Sequence, residues 1–511
     1  MFKHIASNWS RILLQILVML VLAPLMEQEL GRDGYGIWIA IIAATGFLEL
    51  LALGVPMASV RHISEAVSAG DLERTNRTIA TGYGITLLLG VAGAALGALI
   101  FLPFERGLVE NELWRDTPAE TLAAARTAYL VTALRCAAAL ALRYPTAVFD
   151  SKRDFVTKNA IQNAGILGRA VAVVVLLYSA PSLVGLAWIF VVEFVLVHLA
   201  FRLAIHRRFP GIRFGLRGFD RTLVGELMGF GVFAAVLNVG TMIAYNIDAL
   251  VIGRWIGTEA ITDFDFGNKF FAPLAAVMYG IGAVVMPEAT RLRVQGERDG
   301  LPTIFLKWSK VSLSVVLPIG LYLAVLGPRF LATWVGPEYE ESAGLVTRIL
   351  APSFILYLPV RAVALPILMG VSRPGRPAAV FLGMALLNLG LSITLVELGY
   401  GIAGVAWGTA IPQVLFAIYL VAVTAMVVEV DLGRWLVHVF GRTALGTLPC
   451  LAFLFLMERG LDVRGWTELI LSGIGSLVVF ALIWTFFVYR GDPHLDLREE
   501  IAVRVRRSRA R

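Results

Sequence analysis

The chain has 511 residues, of which 58% are hydrophobic and only 16% charged, and it carries a formal net charge of +7. A soluble protein of this length needs more polar surface than that, so the soluble globular classes are excluded. The only cysteines, Cys136 and Cys450, stand far apart in apolar segments, which excludes a disulfide framework and a cysteine metal site.

A spanning helix needs about 20 mostly apolar residues. By that measure about fourteen segments follow one another, at 10–27, 35–58, 78–104, 121–146, 159–179, 183–204, 226–256, 260–287, 304–326, 343–369, 377–399, 402–427, 442–458 and 466–489. The chain reads as an all-α polytopic membrane protein. No small-residue cleavage site follows the first segment, which reads as a retained helix. Gly54-Val55-Pro56 closes the second segment and Met286-Pro287 the eighth. Proline kinks or ends a helix, so these are either matched bending points or plain helix ends. The longest outer segment, 105–120, carries Glu105, Glu110, Glu112, Asp116 and Glu120 and reads as a solvated face. The tail from Arg498 to Arg511 reads as a basic cytoplasmic tail within reach of anionic lipid.

Lys and Arg in short loops set orientation. With both termini in the cytoplasm, most of the 44 basic residues face inward, among them Arg202, Arg207, Arg208, Arg213, Arg217 and Arg221. The net positive charge follows from this bias, so a nucleic-acid partner is not expected.

The chain also repeats itself. Val184-Gly185-Leu186-Ala187-Trp188 opens the sixth segment and Ala403-Gly404-Val405-Ala406-Trp407 opens the twelfth, 219 residues later. Leu30-Gly31 and Ile256-Gly257 stand 226 apart. A duplication of six segments predicts lobes at 1–222 and 223–428, related by a pseudo-twofold axis along the membrane normal. Two extra helices at 429–489 and a tail at 490–511 complete the division. Transporter halves of this kind hold substrate between them.

Six cations read as intramembrane rather than flanking: Arg126, Arg135, Arg169, Lys269, Arg348 and Arg361. A cation at the bilayer centre costs roughly 2.5 to 3.5 kcal/mol and normally faces a bundle interior or wet cavity. At about 1.5 Å per residue, Arg169 and Arg135 lie roughly 15 and 21 Å in, too deep to snorkel easily. Guanidinium grips phosphate oxygens through a planar fork. Arg135, Arg169, Lys269 and Arg361 are therefore the candidate anion-binding residues; the plain alternative is a structural ion pair. Lys269 shares a helical face with Asp265, four residues earlier. Arg126 and Arg348 lie near the outer surface and read as snorkelling. Glu49 and Glu193 are deep carboxylates, suited to proton coupling or to neutralising an arginine. Asp248, beside Asn246, and Asp265 are the remaining candidates for ion coupling, against capping or polar packing.

Leu30-Gly31, Tyr35-Gly36-Ile37-Trp38, Gly54 and Arg61 resemble the opening pattern of polysaccharide-lipid exporters. Asp248-Ala249-Leu250-Val251-Ile252-Gly253 and Trp334-Val335-Gly336 with Tyr339 continue the likeness from Ser10 to about Val427. The chain resembles the O-antigen flippase branch of the multidrug/oligosaccharidyl-lipid/polysaccharide exporter superfamily, with the lipid II flippases as a sister branch. The resemblance implies a V-shaped fold with a central cationic cavity and a bacterial inner-membrane location. It implies a polyprenyl diphosphate carrying an oligosaccharide as substrate, with membrane lipids, a polysaccharide polymerase and chain-length machinery as partners. In the lipid II branch the two final helices help form a lipid-tail groove. Thr262-Asp263-Phe264-Asp265-Phe266 is more acidic than the family pattern, which has a tyrosine there.

A membrane polymerase or glycosyltransferase is a rival class, but no loop joins His, Ser or Cys to a base in a nucleophilic arrangement. No phosphate-binding loop is present, and no cofactor is expected. Energy would come from an H+ or Na+ gradient, the membrane potential or product removal. Within transporters the alternative is a multidrug or organic-cation antiporter, which favours twelve spans and a carboxylate-dominated cavity.

Overall fold

With no water in hydrocarbon, a backbone must satisfy its own hydrogen bonds, and every described element is helical. The computed structural model describes residues 2–52, 55–106, 117–229, 232–297, 299–460 and 463–496. Gly54, Glu110, Glu112, Asp116 and the basic tail from Arg498 to Arg511 lie outside the described residues. Among the described residues, ten helical stretches are long and apolar enough to cross a membrane, or twelve if each of two bent pairs is one span. Two of the ten, Trp9–Ala52 and Gly375–Val427, each cover two predicted segments. Both are kinked where glycines take positive φ: Gly31 (74°) in the first, Gly399 (90°) and Gly401 (54°) in the second.

Cα packing divides the chain into Met1–Thr262 and Asp263–Arg511. The first unit comprises α1 (Phe2–Gly46), a 3₁₀ turn (Phe47–Ala52), α2 (Val55–Ser68), α3 (Leu72–Phe104), α4 (Ala119–Ala141) and α5 (Tyr144–Ser151). It continues with α6 (Phe155–Ser179), α7 (Leu183–Arg208), α8 (Arg221–Gly229), α9 (Val232–Trp255) and the start of α10 (Thr258–Asn268). The packing boundary falls beyond 222 because α8 packs on α2 and α3, and α9 on α1.

Glycines set the close approaches. A Cβ on Gly90 of α3 would meet Ala141 Cβ of α4 at 2.6 Å, and one on Gly97 would meet Ala133 Cβ at 3.3 Å; membrane helices pack through such small residues. Side-chain caps start the helices that frame the site. The Asp154 carboxylate accepts from the Thr157 amide (3.2 Å) before α6, and the Ser182 hydroxyl from the Gly185 amide (3.3 Å) before α7.

The second unit holds α11 (Phe271–Gln295), α12 (Gly300–Trp334), α13 (Ser342–Gly370), α14 (Gly375–Leu395), α15 (Gly401–Val427), α16 (Leu432–Leu436), α17 (Arg442–Gly460) and α18 (Trp466–Ile483). α13 is its core, packed by α11, α12 and α15. Met286-Pro287 does not end a helix: Pro287 lies inside α11, which runs on to Gln295. The repeated glycines Gly185 and Gly404 serve the same contact in their respective units. An added Cβ would meet Leu176 Cδ1 at 2.8 Å or Leu395 Cβ at 2.9 Å, and these leucines are also 219 apart.

α17 and α18 both pack on α12. Lys310 of α12 donates to Asp492 Oδ2 (2.5 Å) and the Val488 carbonyl (3.1 Å), and the pair is only 4% and 3% exposed. Trp435 and Trp484 donate to Ser309 Oγ (3.2 Å) and Ser314 Oγ (2.7 Å) on the same helix.

Candidate functional site

Helical spacing places Arg135, Ala139, Leu142 and Arg143 along one stripe of α4 and its end. Gln162, Ile166 and Arg169 form the matching stripe of α6, and Glu193, Val197, His198 and Phe201 that of α7. These faces enclose a cavity of about 310 Å³ in the first unit, closed further by Arg11 and Gln15 of α1 and by Glu49. Four predicted residues, Arg135, Arg169, Glu49 and Glu193, thus meet in one cavity. With four arginines against two carboxylates its lining is net cationic.

The two central arginines are held differently. Arg169 pairs with Glu193 across α6 and α7 (Nη1 to Oε2, 3.5 Å), and its guanidinium lies 4.7 Å from the centre of the Phe190 ring. Glu193 is therefore the counter-ion of Arg169. Arg135 makes no ion pair among the described residues. Its Nε is buried without a hydrogen-bond partner, and its Nη1 reaches only the weak acceptor Cys136 Sγ at 3.9 Å. Glu49 sits on the 3₁₀ turn after α1, near the end of the Trp9–Ala52 stretch, and its side chain is exposed. Arg11 donates to Gln162 Oε1 at 3.3 Å, tying α1 to α6.

The other predicted residues lie elsewhere. Lys269 stands at the break between α10 and α11 and is ion-paired with Asp265, one turn earlier. Arg361 of α13 donates to the Tyr279 hydroxyl, and the rings of Tyr279, Phe381 and Tyr357 surround its guanidinium at 5.1, 5.3 and 5.9 Å. Asp248 is buried on α9. Arg126 and Arg348 do more than snorkel: they pair with Glu105 (2.9 Å) and Glu458 (3.1 Å), carboxylates near the ends of neighbouring helices.

Sequence reasoning missed Arg11, Arg143, Gln162 and His198. The first two look like ordinary flanking cations. Arg143 was nonetheless readable, because it follows Arg135 by eight residues and so shares its helical face. Lys310 was missed too. It reads as a cytoplasmic flank, yet it is buried on Asp492. Burial pushes the Asp492 carboxyl up, but the Lys310 hydrogen bond, the His494 amide and the Lys310 charge outweigh it and hold the group below the usual carboxylate range.

Residues 122–344 match the family described as polysaccharide biosynthesis protein. An uncharacterized membrane protein of Methanocaldococcus jannaschii is 24% identical over 190 residues, 37% of each chain, so the chain spans little more than a third of that relative. A putative O-antigen transporter of Shigella flexneri is 19% identical over 334 residues, 64% of this chain and 75% of that one. Among solved structures, the lipid II flippase MurJ in an inward closed conformation superposes with a TM-score of 0.70 at 15% identity, covering 95% of this chain and 99% of that one. An inward-facing multidrug resistance MATE transporter of the MOP superfamily gives 0.66 at 16% identity, covering 82% and 98%. The resemblance read from the sequence is thereby borne out. The chain is a multi-pass membrane protein with the fold of the MOP superfamily.

Proposed function

We propose that the chain is a flippase that moves a polyprenyl-diphosphate-linked oligosaccharide from the inner to the outer leaflet by alternating access. The observation that carries this reading is Arg135. It is a half-buried guanidinium with no carboxylate partner among the described residues, in a cavity that it shares with Arg11, Arg143 and Arg169. A cluster of cations facing one cavity suits a diphosphate, whose oxygens accept paired N–H bonds from guanidinium forks. The match to a polysaccharide biosynthesis family and the putative O-antigen transporter support a saccharide-bearing lipid as the cargo. The orientation proposed is both termini in the cytoplasm, in a bacterial inner membrane. Arg135 and Arg169 would receive the diphosphate, while Lys269 and Arg361 are further proposed contacts. Glu49 and Glu193 are the proposed groups for coupling to an H+ or Na+ gradient, with Asp248 and Asp265 behind them.

The test is reconstitution of the purified chain in liposomes with a labelled polyprenyl diphosphate oligosaccharide in one leaflet. Transfer by the native chain, lost in Arg135→Ala with folding intact, is the expected result. Transfer that survives the substitution removes Arg135 from the site. No transfer together with efflux of a cationic dye replaces the flippase with an antiporter.

A further inference from the structure

We infer that the furrow between α6 and α7 holds the hydrocarbon chain of the amphiphile whose anionic head occupies the arginine cavity. The inference rests on the function proposed above and adds where the tail lies. A second cavity, of about 730 Å³, runs along these two helices and meets the first at Arg169, Glu193 and Val197. Its volume lies within the range of small-molecule sites. Apart from Arg169 and Glu193 its lining is aliphatic and aromatic.

The sequence explains the furrow. Ala160, Ala164, Gly168 and Ala172 repeat every four residues, so one face of α6 carries nothing larger than a methyl group. Gly165, between them, brings α7 close: an added Cβ there would meet Val197 Cγ2 at 2.4 Å. An added Cβ on Gly168 has nothing within 4 Å and would enter open space. The apolar stretches of α6 and α7 are each only 17% buried, against 78% for α13, so most of the surface around the furrow is left uncovered.

Charge selects the occupant. A second copy of the chain could also pack against small residues, but it would carry Arg169 and Glu193 into a dry helix interface. A lipid chain with an anionic head satisfies both cavities at once: hydrocarbon in the furrow, anion on the shared cation. An organic cation would fit the furrow but would find its one carboxylate, Glu193, already paired with Arg169. The resemblance to lipid II flippases leads instead to the two final helices for the tail, so the two locations can be told apart.

The experiment uses the full chain in nanodiscs of phosphatidylethanolamine and phosphatidylglycerol. Its probes are inorganic diphosphate and a long-chain polyprenyl diphosphate with a photoreactive group in mid-chain. Adducts in 160–172 and 188–200 are expected. In Gly168→Phe the long-chain affinity should fall at least about tenfold, as when about two methylenes are kept out of an apolar site, with inorganic diphosphate binding unchanged. Adducts confined to α17 and α18, or unchanged long-chain affinity in a folded Gly168→Phe, overturn the inference. So does a disulfide between copies of Gly168→Cys that blocks labelling. The adduct map is made on the native chain and stands even where Gly168→Phe does not fold. A native chain that binds neither probe removes the proposed function itself, and that failure is recognisable because it precedes any substitution.

Discussion

Arg135→Ala separates recognition from stability. The guanidinium has no carboxylate partner among the described residues, so its loss strands no buried charge. Arg169→Ala is a poorer probe, because it leaves Glu193 without the cation 3.5 Å away. Hydrogen bonds to charged groups contribute about 1.5 to 3 kcal/mol. About 1.4 kcal/mol corresponds to a tenfold change in Kd, so diphosphate binding should weaken roughly 10- to 150-fold. Arg135→Lys keeps the charge but loses the fork, and should fall between Ala and the native chain. The unfolding temperature should stay near the native value in both. Calorimetric titration of the purified chain with inorganic diphosphate at fixed low salt measures the affinity, and a thermal melt of the same sample measures the fold. An Arg135→Ala affinity within twofold of native, with the melt unchanged, would refute the assignment of this arginine to the anion.

Glu193→Gln should act with the opposite sign. It frees Arg169 from its pair, and diphosphate should bind more tightly by a few-fold in the same titration, while any gradient-driven transfer that uses Glu193 is lost. At the other end of the chain, Lys310→Met leaves the buried Asp492 carboxylate without its ammonium. Breaking a buried pair costs about 3 to 5 kcal/mol, so Tm should fall by several degrees, and Lys310→Met combined with Asp492→Leu should recover most of the loss. Because the Asp492 carboxyl is held below its ordinary value, its stabilisation is complete above the usual carboxylate range and disappears as pH falls through the folded value. Melts below about pH 4 should therefore show an acid-induced loss in the native chain that is smaller in Asp492→Asn. Gly90→Val forces a side chain against Ala141 Cβ and the Ala137 carbonyl, which an added Cβ would already meet at 2.6 and 2.9 Å. Overpacking costs about 1 to 3 kcal/mol, visible as a lowered Tm, whereas Gly168→Ala, facing open space, should melt like the native chain.

The sequence by itself determined that this chain is all-helical and where the long apolar runs lie, because a backbone in hydrocarbon has no other way to satisfy its polar groups. It also determined which charges share a helical face. Asp265 and Lys269 stand one turn apart and form the ion pair their spacing suggests, and Arg135 and Arg143 line one cavity from one stripe of α4 and the residues just past its end. Both follow from the helical repeat, a local property. Which cations find a carboxylate was decided only by tertiary structure. Arg348 meets Glu458 across 110 residues, Lys310 meets Asp492 across 182, and Arg135 meets none among the described residues. Glu49 reads as a mid-span carboxylate, and only the fold shows that the α-helix gives way to a 3₁₀ turn at Phe47 and that Glu49 joins the lining of the Arg135 cavity. These outcomes depend on how helices far apart in sequence come to lie side by side. Interhelical packing has no period along the chain, so a single sequence states which charges share a helical face and leaves their long-range partners to the fold.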